Sequence, residues 1–180
     1  MSELDLTEEE FRKLIEEKAP DAWTRLVKKS LRYVMRIVLP IINFDYHYAE
    51  DVSQLVFIEL LKSLGTLDDL SKFKPFLARI AVRAALKFKK RLERAGMSPP
   101  QWMEDSKGTV EREAREEPEE CRRLRRCIEM LPPRQREVIN LFYFAELSYK
   151  ETAVAMKTSP NNVLQLLFKA RRRLKGFMEE

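Results

Sequence analysis

Apolar side chains recur every three or four residues through most of the chain, and this spacing predicts a series of α-helices. The first long helix runs from Pro20 to near Pro40, and its predicted buried face consists of Trp23, Leu26, Val27, Leu31, Val34, Ile37 and Val38. The next runs from Tyr48 to Leu64, and its predicted buried face consists of Val52, Leu55, Val56, Ile58, Leu60 and Leu61. Because the chain has only four glycines and no alternating run of β-branched residues, an all-α protein is expected.

A third predicted helix, within residues 72–94, combines an apolar face with a row of cations. The segment holds nine Lys or Arg against one Glu. Five of these cations recur at intervals of three or four and so share one side, namely Arg79, Arg83, Lys87, Lys90 and Arg94. Like charges at this spacing repel by about 0.2–0.5 kcal/mol per pair. The row therefore favours an external anion, of which a polyphosphate backbone is the obvious example.

Residues 96–118 interrupt the helical pattern with prolines, glycines and many acidic residues, which predicts a linker. The predicted architecture is two small helical domains, residues 1–95 and 119–180, joined by this flexible linker. Thr7 and Glu10 have capping-box spacing and predict an additional short helix at the start of the first domain.

The stretch from Leu147 to Leu174 predicts two short helices joined by a tight turn. Ser148 with Glu151 has capping-box spacing, and Ser159-Pro160 gives a second start signal. In the second helix one narrow apolar stripe consists of Val163, Leu167, Ala170 and Leu174, and the opposite side carries Asn161, Asn162, Gln165, Lys169 and Arg172. Amides followed by cations suit the DNA major groove. A surface hairpin with a solvated polar face explains the same spacing equally well.

Three polar residues form a compact patch early in the second helix: Glu50, Asp51 and Gln54. Acidic residues near a helix N-terminus complement the helix dipole, and this alone would account for them. The alternative is a docking patch for a basic partner. The sequence does not decide between the two interpretations.

The composition of the chain excludes several classes of protein. The 180 residues carry a net charge of +5, so an anionic partner is plausible. Cys121 and Cys127 provide neither a metal-ligand set nor a disulfide framework, and indicate free thiols in a reducing cytoplasm. No signal peptide or membrane span is predicted. Paired carboxylates, nucleophile–base sets and glycine-rich phosphate loops are not recognisable, so we expect no enzyme, cofactor or metal.

Four segments, in order, resemble bacterial RNA polymerase sigma factors of the extracytoplasmic-function (ECF) class. They are AEDVSQLVF at residues 49–57, FKPFLARIA at 73–81, LPPRQREV at 131–138 and LSYKETA at 147–153. Val163, Lys169-Ala-Arg and Leu174 fit the end of the family's recognition helix. A stand-alone helix-turn-helix regulator would explain the last segment, but not the acidic patch and basic row in the first half.

The resemblance implies a role for each group of residues. Contacts to the clamp helices of the largest polymerase subunit are implied for Glu50, Asp51, Gln54 and Phe57. Contacts to the −10 promoter element, including its melted strand, are implied for Lys72, Lys74, Phe76, Arg79, Arg83, Lys87, Lys90 and Arg91. Contacts to the −35 element in duplex DNA are implied for Arg134, Ser159, Asn161, Asn162, Gln165, Lys169, Arg172 and Arg173.

Further partners are implied by the same resemblance. A flipped base would be held by the loop near residues 65–74, the second domain would meet the polymerase flap, and the linker would run toward the RNA exit path. An anti-sigma factor is the family's common regulator.

Several positions depart from the family pattern. Phe76 replaces the usual Trp, and Arg83 and Lys87 replace the usual Asn and Asp. In the recognition helix, Leu164 and Leu166 stand where cations are usual. We therefore expect an atypical −35 sequence read largely by amides, which suit adenine. Leu164 and Phe168 would contact either thymine methyl groups or a protein partner.

Overall fold

The computed structural model describes residues 9, 20–67, 69–96 and 118–179, and over these residues it is helical with no strand. The α-helices are α1 (Pro20–Ile41), α2 (Tyr46–Ser63), α3 (Phe73–Arg94), α4 (Glu119–Glu129), α5 (Pro133–Ile139), α6 (Tyr149–Met156) and α7 (Pro160–Glu179). Two 3-10 turns, Leu64–Thr66 and Leu70–Lys72, connect α2 to α3. The expected all-α fold is confirmed. The predicted helix near Thr7 and nearly all of the predicted linker lie outside the described residues.

Helices α1, α2 and α3 pack against one another through their apolar faces. The completely buried side chains of this bundle include Val34, Ile37, Val38, Val52, Val56, Leu60 and Leu77. Helix α2 begins two residues earlier than predicted because the Asp45 carboxylate accepts a hydrogen bond of 3.0 Å from the Tyr48 backbone N–H. Local capping therefore decides where the helix starts.

Four leucine and isoleucine side chains predicted to be buried are in fact exposed. Their exposed fractions are 43% for Leu31, 43% for Leu55, 50% for Ile58 and 58% for Leu61. The last three lie on α2 outside the arc that contacts α1 and α3, since helical spacing alone does not tell how wide the buried arc is. The prediction of their burial was wrong.

In the C-terminal half, the two helices predicted within residues 147–174 begin where expected. Helix α5 begins at Pro133 and continues into a π-helical turn, Asn140–Phe144, in which the Ala145 N–H donates to the Asn140 carbonyl oxygen over 3.0 Å. Ser148 and Glu151 form the predicted capping box at the start of α6. The predicted apolar stripe of α7 is also confirmed, because Val163, Leu167 and Ala170 are buried.

The two halves share one continuous apolar core. At its centre the buried Tyr33 hydroxyl of α1 donates to the Ala145 carbonyl oxygen over 3.0 Å. Glu146 follows with a left-handed backbone (φ 49°), and pairs with Arg36 over 3.1 Å while its carbonyl accepts from Lys74 over 3.1 Å. This arrangement is called the closed arrangement below.

A second group of contacts joins α3 and the turn between α1 and α2 to α4 and α5. The buried Lys89 ammonium contacts the Glu129 carboxylate and lies 3.4 Å from the Asn43 amide oxygen. Arg83 pairs with Glu137 over 3.5 Å. The Arg125 guanidinium lies 4.6 Å from the centre of the Phe44 ring, which is within the range of a cation–π contact. Charged pairs therefore fix the orientation of the halves around their shared core.

Candidate nucleic-acid interface

A helix-turn-helix is built by α6 and α7. The turn between them contains Lys157 in the left-handed region (φ 51°), and the Thr158 N–H donates to the Ala153 carbonyl oxygen over 2.9 Å. This six-to-one bond with a left-handed residue is a Schellman-type helix end. Ser159 then caps α7 by accepting from the Asn162 N–H over 3.2 Å.

The solvent-facing side of α7 presents a row of four exposed residues at intervals of four, three and four. We call this the outward row; it consists of Asn161, Gln165, Phe168 and Arg172. At about 100° per residue they lie opposite the buried Val163, Leu167 and Ala170. Residues 161–175 hold five cations and no acid. The face is therefore positively charged, with an amide end and a basic end.

The remaining predicted −35 residues fall into two groups. Lys169 is exposed beside the outward row. The others make internal bonds: Ser159 is the cap, Asn162 donates its amide to Thr158 over 2.8 Å, Arg134 pairs with Glu137 over 3.2 Å, and Arg173 donates to Gln135 over 3.3 Å. Ser159, Asn162 and Arg173 therefore help to hold α7 in place, whereas the Arg134–Glu137 pair lies within α5.

The two leucines that replace the expected cations differ in environment. Leu166 is half-buried and packs against the core of the helix-turn-helix, whereas Leu164 is 46% exposed. Only Leu164 therefore changes the chemistry of the outer surface.

Aromatic side chains near the start of α6 fix one edge of α7. The Arg171 guanidinium donates to the Tyr143 hydroxyl over 2.9 Å and lies 5.8 Å from the centre of the Phe142 ring. The hydrogen bond to Tyr143 raises the pKa of Arg171. The family motif included Arg171, but its contacts were not predicted, because Phe142 and Tyr143 belong to the π-helical turn.

A basic groove of about 480 Å³ lies between α2 and α3. We define the basic groove by its five cations, Arg79, Arg83, Lys87, Arg91 and Lys157. Apolar side chains, Phe76, Ile80 and Phe88 among them, line its walls. Because Lys157 belongs to the helix-turn-helix, both halves contribute to this groove.

The groove differs in two respects from the row predicted on α3. Arg91 lines it together with Arg79, Arg83 and Lys87, whereas Lys90 lines a separate cleft with Pro133 and Arg136. The protein also supplies a counter-ion, because Glu137 pairs with both Arg83 and Arg134. Burial lowers the pKa of Arg79, Arg83 lowers it further, and Glu137 opposes both effects. The row therefore has an internal counter-ion on α5, which the spacing of the cations did not indicate.

The loop before α3 is held by its own hydrogen bonds. The Asp69 carboxylate accepts from the Ser71 hydroxyl over 2.6 Å and from the Ser71 N–H over 2.9 Å, and pairs with Lys72 over 3.3 Å. The Ser71 bonds are the main cause that lowers the pKa of Asp69. Phe73 is buried. Phe76 is 9% exposed and lies under the Arg79 guanidinium, 5.1 Å from the ring centre.

A third surface lies on α2. Glu50, Asp51 and Gln54 are exposed as predicted, and by helical geometry they share one side with the exposed Leu55, Ile58 and Leu61. We call these six residues the α2 patch. No acidic residue lies in the first turn of α2, which weighs against an explanation of the patch by the helix dipole alone.

Phe57 does not belong to the α2 patch. It is 8% exposed, and its ring meets Trp23 edge-on with 6.5 Å between ring centres. The ring is therefore used in packing α2 onto α1, and its contact with a partner stays a prediction.

The described residues carry no site for a metal ion. They contain no group of three His, Cys, Asp or Glu side chains placed to hold a metal ion. Of the described helices, none is both long enough and apolar enough to cross a membrane. Cys121 and Cys127 are both free thiols.

Comparisons with known proteins find relatives for both halves. Residues 26–95 match the family described as Sigma-70 region 2, and residues 121–174 match the family described as Sigma-70, region 4. The chain is 31% identical over 137 residues to the ECF RNA polymerase sigma factor SigM of Bacillus subtilis, covering 73% of this chain and 80% of that protein. It is 29% identical over 181 aligned positions to the RNA polymerase sigma-H factor of Pseudomonas aeruginosa, covering 92% of each.

Solved structures share the fold at low sequence identity. CnrH in complex with the cytosolic domain of CnrY matches with a TM-score of 0.65 and 19% identity, over 94% of this chain and 95% of CnrH. The sigma factor RpoE in complex with the anti-sigma factor NepR from Bartonella quintana matches with a TM-score of 0.57 and 19% identity, over 84% and 95% of the two chains.

Proposed function

Because the chain belongs to the sigma-70 family of RNA polymerase sigma factors and is of the ECF type, we propose that it directs core polymerase to promoters with its own −10 and −35 sequences. As a sigma factor it is a non-enzymatic initiation factor. Residues 1–95 would form the region 2 domain, 96–118 the linker and 119–180 the region 4 domain. It would act in the cytoplasm, where polymerase and DNA meet.

The observation that carries this proposal is the outward row of α7. Asn161 and Gln165 offer amides that pair with adenine in the major groove, and Arg172 offers a guanidinium that pairs with guanine or phosphate. All three side chains are exposed. The internal bonds of Asn162 and Arg173 hold the helix that carries them, so that these contacts need little rearrangement on binding.

The basic groove suits the −10 element in its melted form. Its cations can follow a phosphate backbone, and its apolar walls can take unstacked bases. Lys72 and Lys74 lie at the start of α3, where the loop held by Asp69 would receive a flipped base. Lys90 would contact phosphates outside the groove.

The α2 patch suits core polymerase. Its acidic and amide groups complement a basic partner, and its three apolar side chains supply the desolvated centre that stable interfaces need. Exposed apolar groups that cluster on one helix face are typical of protein interaction sites. Contact with the clamp helices is therefore proposed for Glu50, Asp51 and Gln54 together with Leu55, Ile58 and Leu61.

The closed arrangement is proposed to be the state before promoter binding. Lys157 lies both in the basic groove and only four residues before Asn161, so the two proposed DNA sites adjoin. On a promoter, about 25 base pairs separate positions −10 and −35, which is about 85 Å at 3.4 Å per base pair. The halves must therefore separate. An anti-sigma factor, like the partner of the RpoE neighbour, would act by preventing this separation.

The proposal is tested by mixing the full-length protein with core polymerase. We expect a stable complex that transcribes from a subset of promoter fragments selected from genomic DNA. The charge reversal Asp51→Lys should weaken the complex, whereas Gln165→Ala should leave it intact and change the selected upstream sequences. Failure of the unaltered protein to bind core polymerase would overturn the proposal.

A further inference from the structure

Phe168 is the most exposed large apolar side chain among the described residues, with 66% of its surface accessible to solvent. It lies in the centre of the outward row, three residues after Gln165 and four before Arg172. A large apolar side chain in water gains from burial. Its position among amides and cations raises the question of what apolar group it meets there.

In the described part of the chain, the Phe168 ring makes neither an aromatic nor a cation–π contact that would explain its position. The neighbouring aromatic cluster consists of Phe142, Tyr143 and Tyr149, and its cation–π partner is Arg171. The core stripe of α7 is filled by Val163, Leu167 and Ala170. Leu164, one turn before Phe168, is 46% exposed and extends the apolar surface along the same helix.

The surroundings of Phe168 indicate the occupant. Residues 161–175 hold five cations and no acid. This face of α7 therefore suits the two phosphate backbones that border a DNA groove. Within the DNA major groove the apolar group on offer is the C5 methyl of thymine. A protein partner would instead have to be strongly acidic along the whole helix and apolar at its centre.

Resting on the proposed −35 function, we propose that Phe168, supported by Leu164, selects thymine in the upstream element by contact with its C5 methyl group. Gln165 and Arg172 would read the base pairs on either side. The upstream sequence would then combine adenine or guanine, read by polar groups, with at least one thymine that is recognised by its methyl alone.

The experiment removes only that methyl. Full-length protein with core polymerase first selects duplexes from a pool randomised upstream of a fixed −10 region. In the best duplex each thymine is then replaced in turn by uracil, which lacks the C5 methyl and keeps the same pairing edge. Affinities are measured by fluorescence anisotropy.

We expect uracil at one or two positions to weaken binding about fourfold, the effect of exposing one methyl-sized group. The variant Phe168→Ala should bind the thymine duplex about fourfold more weakly and should no longer distinguish it from the uracil duplex. In a second pair of duplexes with guanine opposite, 5-methylcytosine in place of cytosine restores a methyl group. This methyl should strengthen binding by the unaltered protein more than binding by the variant. The control Val154→Ala, which removes an exposed apolar group from α6, should keep the full thymine preference.

Two results would overturn the inference, and they differ from failure of the proposed function. If the holoenzyme selects an upstream sequence but uracil substitution changes nothing, the ring does not read thymine and its exposure points to a protein partner. If Phe168→Ala retains the preference for thymine over uracil, another residue reads the methyl. If no upstream sequence is selected at all, the proposed −35 function itself fails.

Discussion

The Tyr33 hydroxyl donates to the Ala145 carbonyl oxygen over 3.0 Å, although 112 residues separate the two positions in the chain. Both residues are buried, with exposed fractions of 1% and 0%. The bond joins α1 to the end of the π-helical turn, at the point where the two halves of the sigma factor share their core.

Tyr33→Phe should loosen the closed arrangement. The ring would still pack, but the Ala145 carbonyl would lose its partner in a buried place, which costs about 1–3 kcal/mol. Urea denaturation should show this loss, and labels placed on α1 and α7 should show a larger average separation by energy transfer. Tyr46→Phe is the matched control, since the Tyr46 side chain is exposed. Equal stability of the two variants would show that the bond does not hold the halves together.

Ile58→Ser should weaken binding to core polymerase. The side chain is 50% exposed within the α2 patch, so its replacement should leave the melting temperature nearly unchanged. Loss of an apolar contact at the centre of an interface costs about 1–2 kcal/mol, or about a tenfold loss in affinity. Surface plasmon resonance with immobilised core polymerase measures this. Leu31→Ser, on α1, removes a similarly exposed apolar group and should not affect affinity.

Glu137→Gln should strengthen binding of single-stranded DNA. The substitution removes the counter-ion of Arg83 and Arg134 while keeping the shape of the side chain. Releasing cations from an internal partner should raise affinity about two- to fivefold at low salt and steepen its salt dependence. Anisotropy titrations with a labelled oligonucleotide measure both. Glu120→Gln changes net charge equally on α4, outside the groove; the same gain in that variant would attribute the effect to net charge alone.

Glu151 should make stability depend on acid pH. Burial raises the pKa of Glu151, but the hydrogen bonds with Ser148 and the nearby Lys74 outweigh it, so the folded-state pKa lies below the ordinary value. The contribution is therefore present above the unfolded pKa of about 4.3 and is lost as the pH falls through the folded pKa. Glu151→Gln should cost about 0.5–1 kcal/mol at neutral pH and remove this slope.

The check is a series of urea denaturation curves from neutral to acid pH. At the lowest pH the unaltered protein and the Glu151→Gln variant should converge, because both then carry an uncharged cap. Glu179→Gln, at the exposed end of α7, provides the control. A constant difference between Glu151→Gln and the unaltered protein at every pH would contradict the assignment.

Local rules predicted the features that depend on neighbours in sequence. The capping box of Ser148 and Glu151, the start of α7 at Pro160 and its buried stripe follow from residues within a few positions of one another. The same rules placed Asn161, Gln165 and Arg172 on the solvent side of α7. These features needed no knowledge of the rest of the molecule.

Features that depend on distant neighbours were missed. Leu55, Ile58 and Leu61 have the spacing of core residues, and only the packing of three helices shows that the buried arc excludes them. Glu137 lies 54 positions after Arg83, so the basic row gave no sign of its counter-ion. Phe57 fits a family motif, yet its ring is used to pack α2 onto α1. Long-range contacts of this kind have no local signature.

Lys157 belongs to both the helix-turn-helix and the basic groove. Under the proposed function, promoter binding therefore depends on the ratio of closed to open molecules. If closed molecules outnumber open ones 100 to 1, the affinity for a complete promoter falls about 100-fold, whereas a lone upstream element bound to the closed form escapes this penalty. Each contact between the halves therefore adds to the binding free energy that a complete promoter must supply beyond that of an isolated half-site. Core polymerase, by holding the halves apart before DNA arrives, would remove the penalty in advance and restore the advantage of complete promoters.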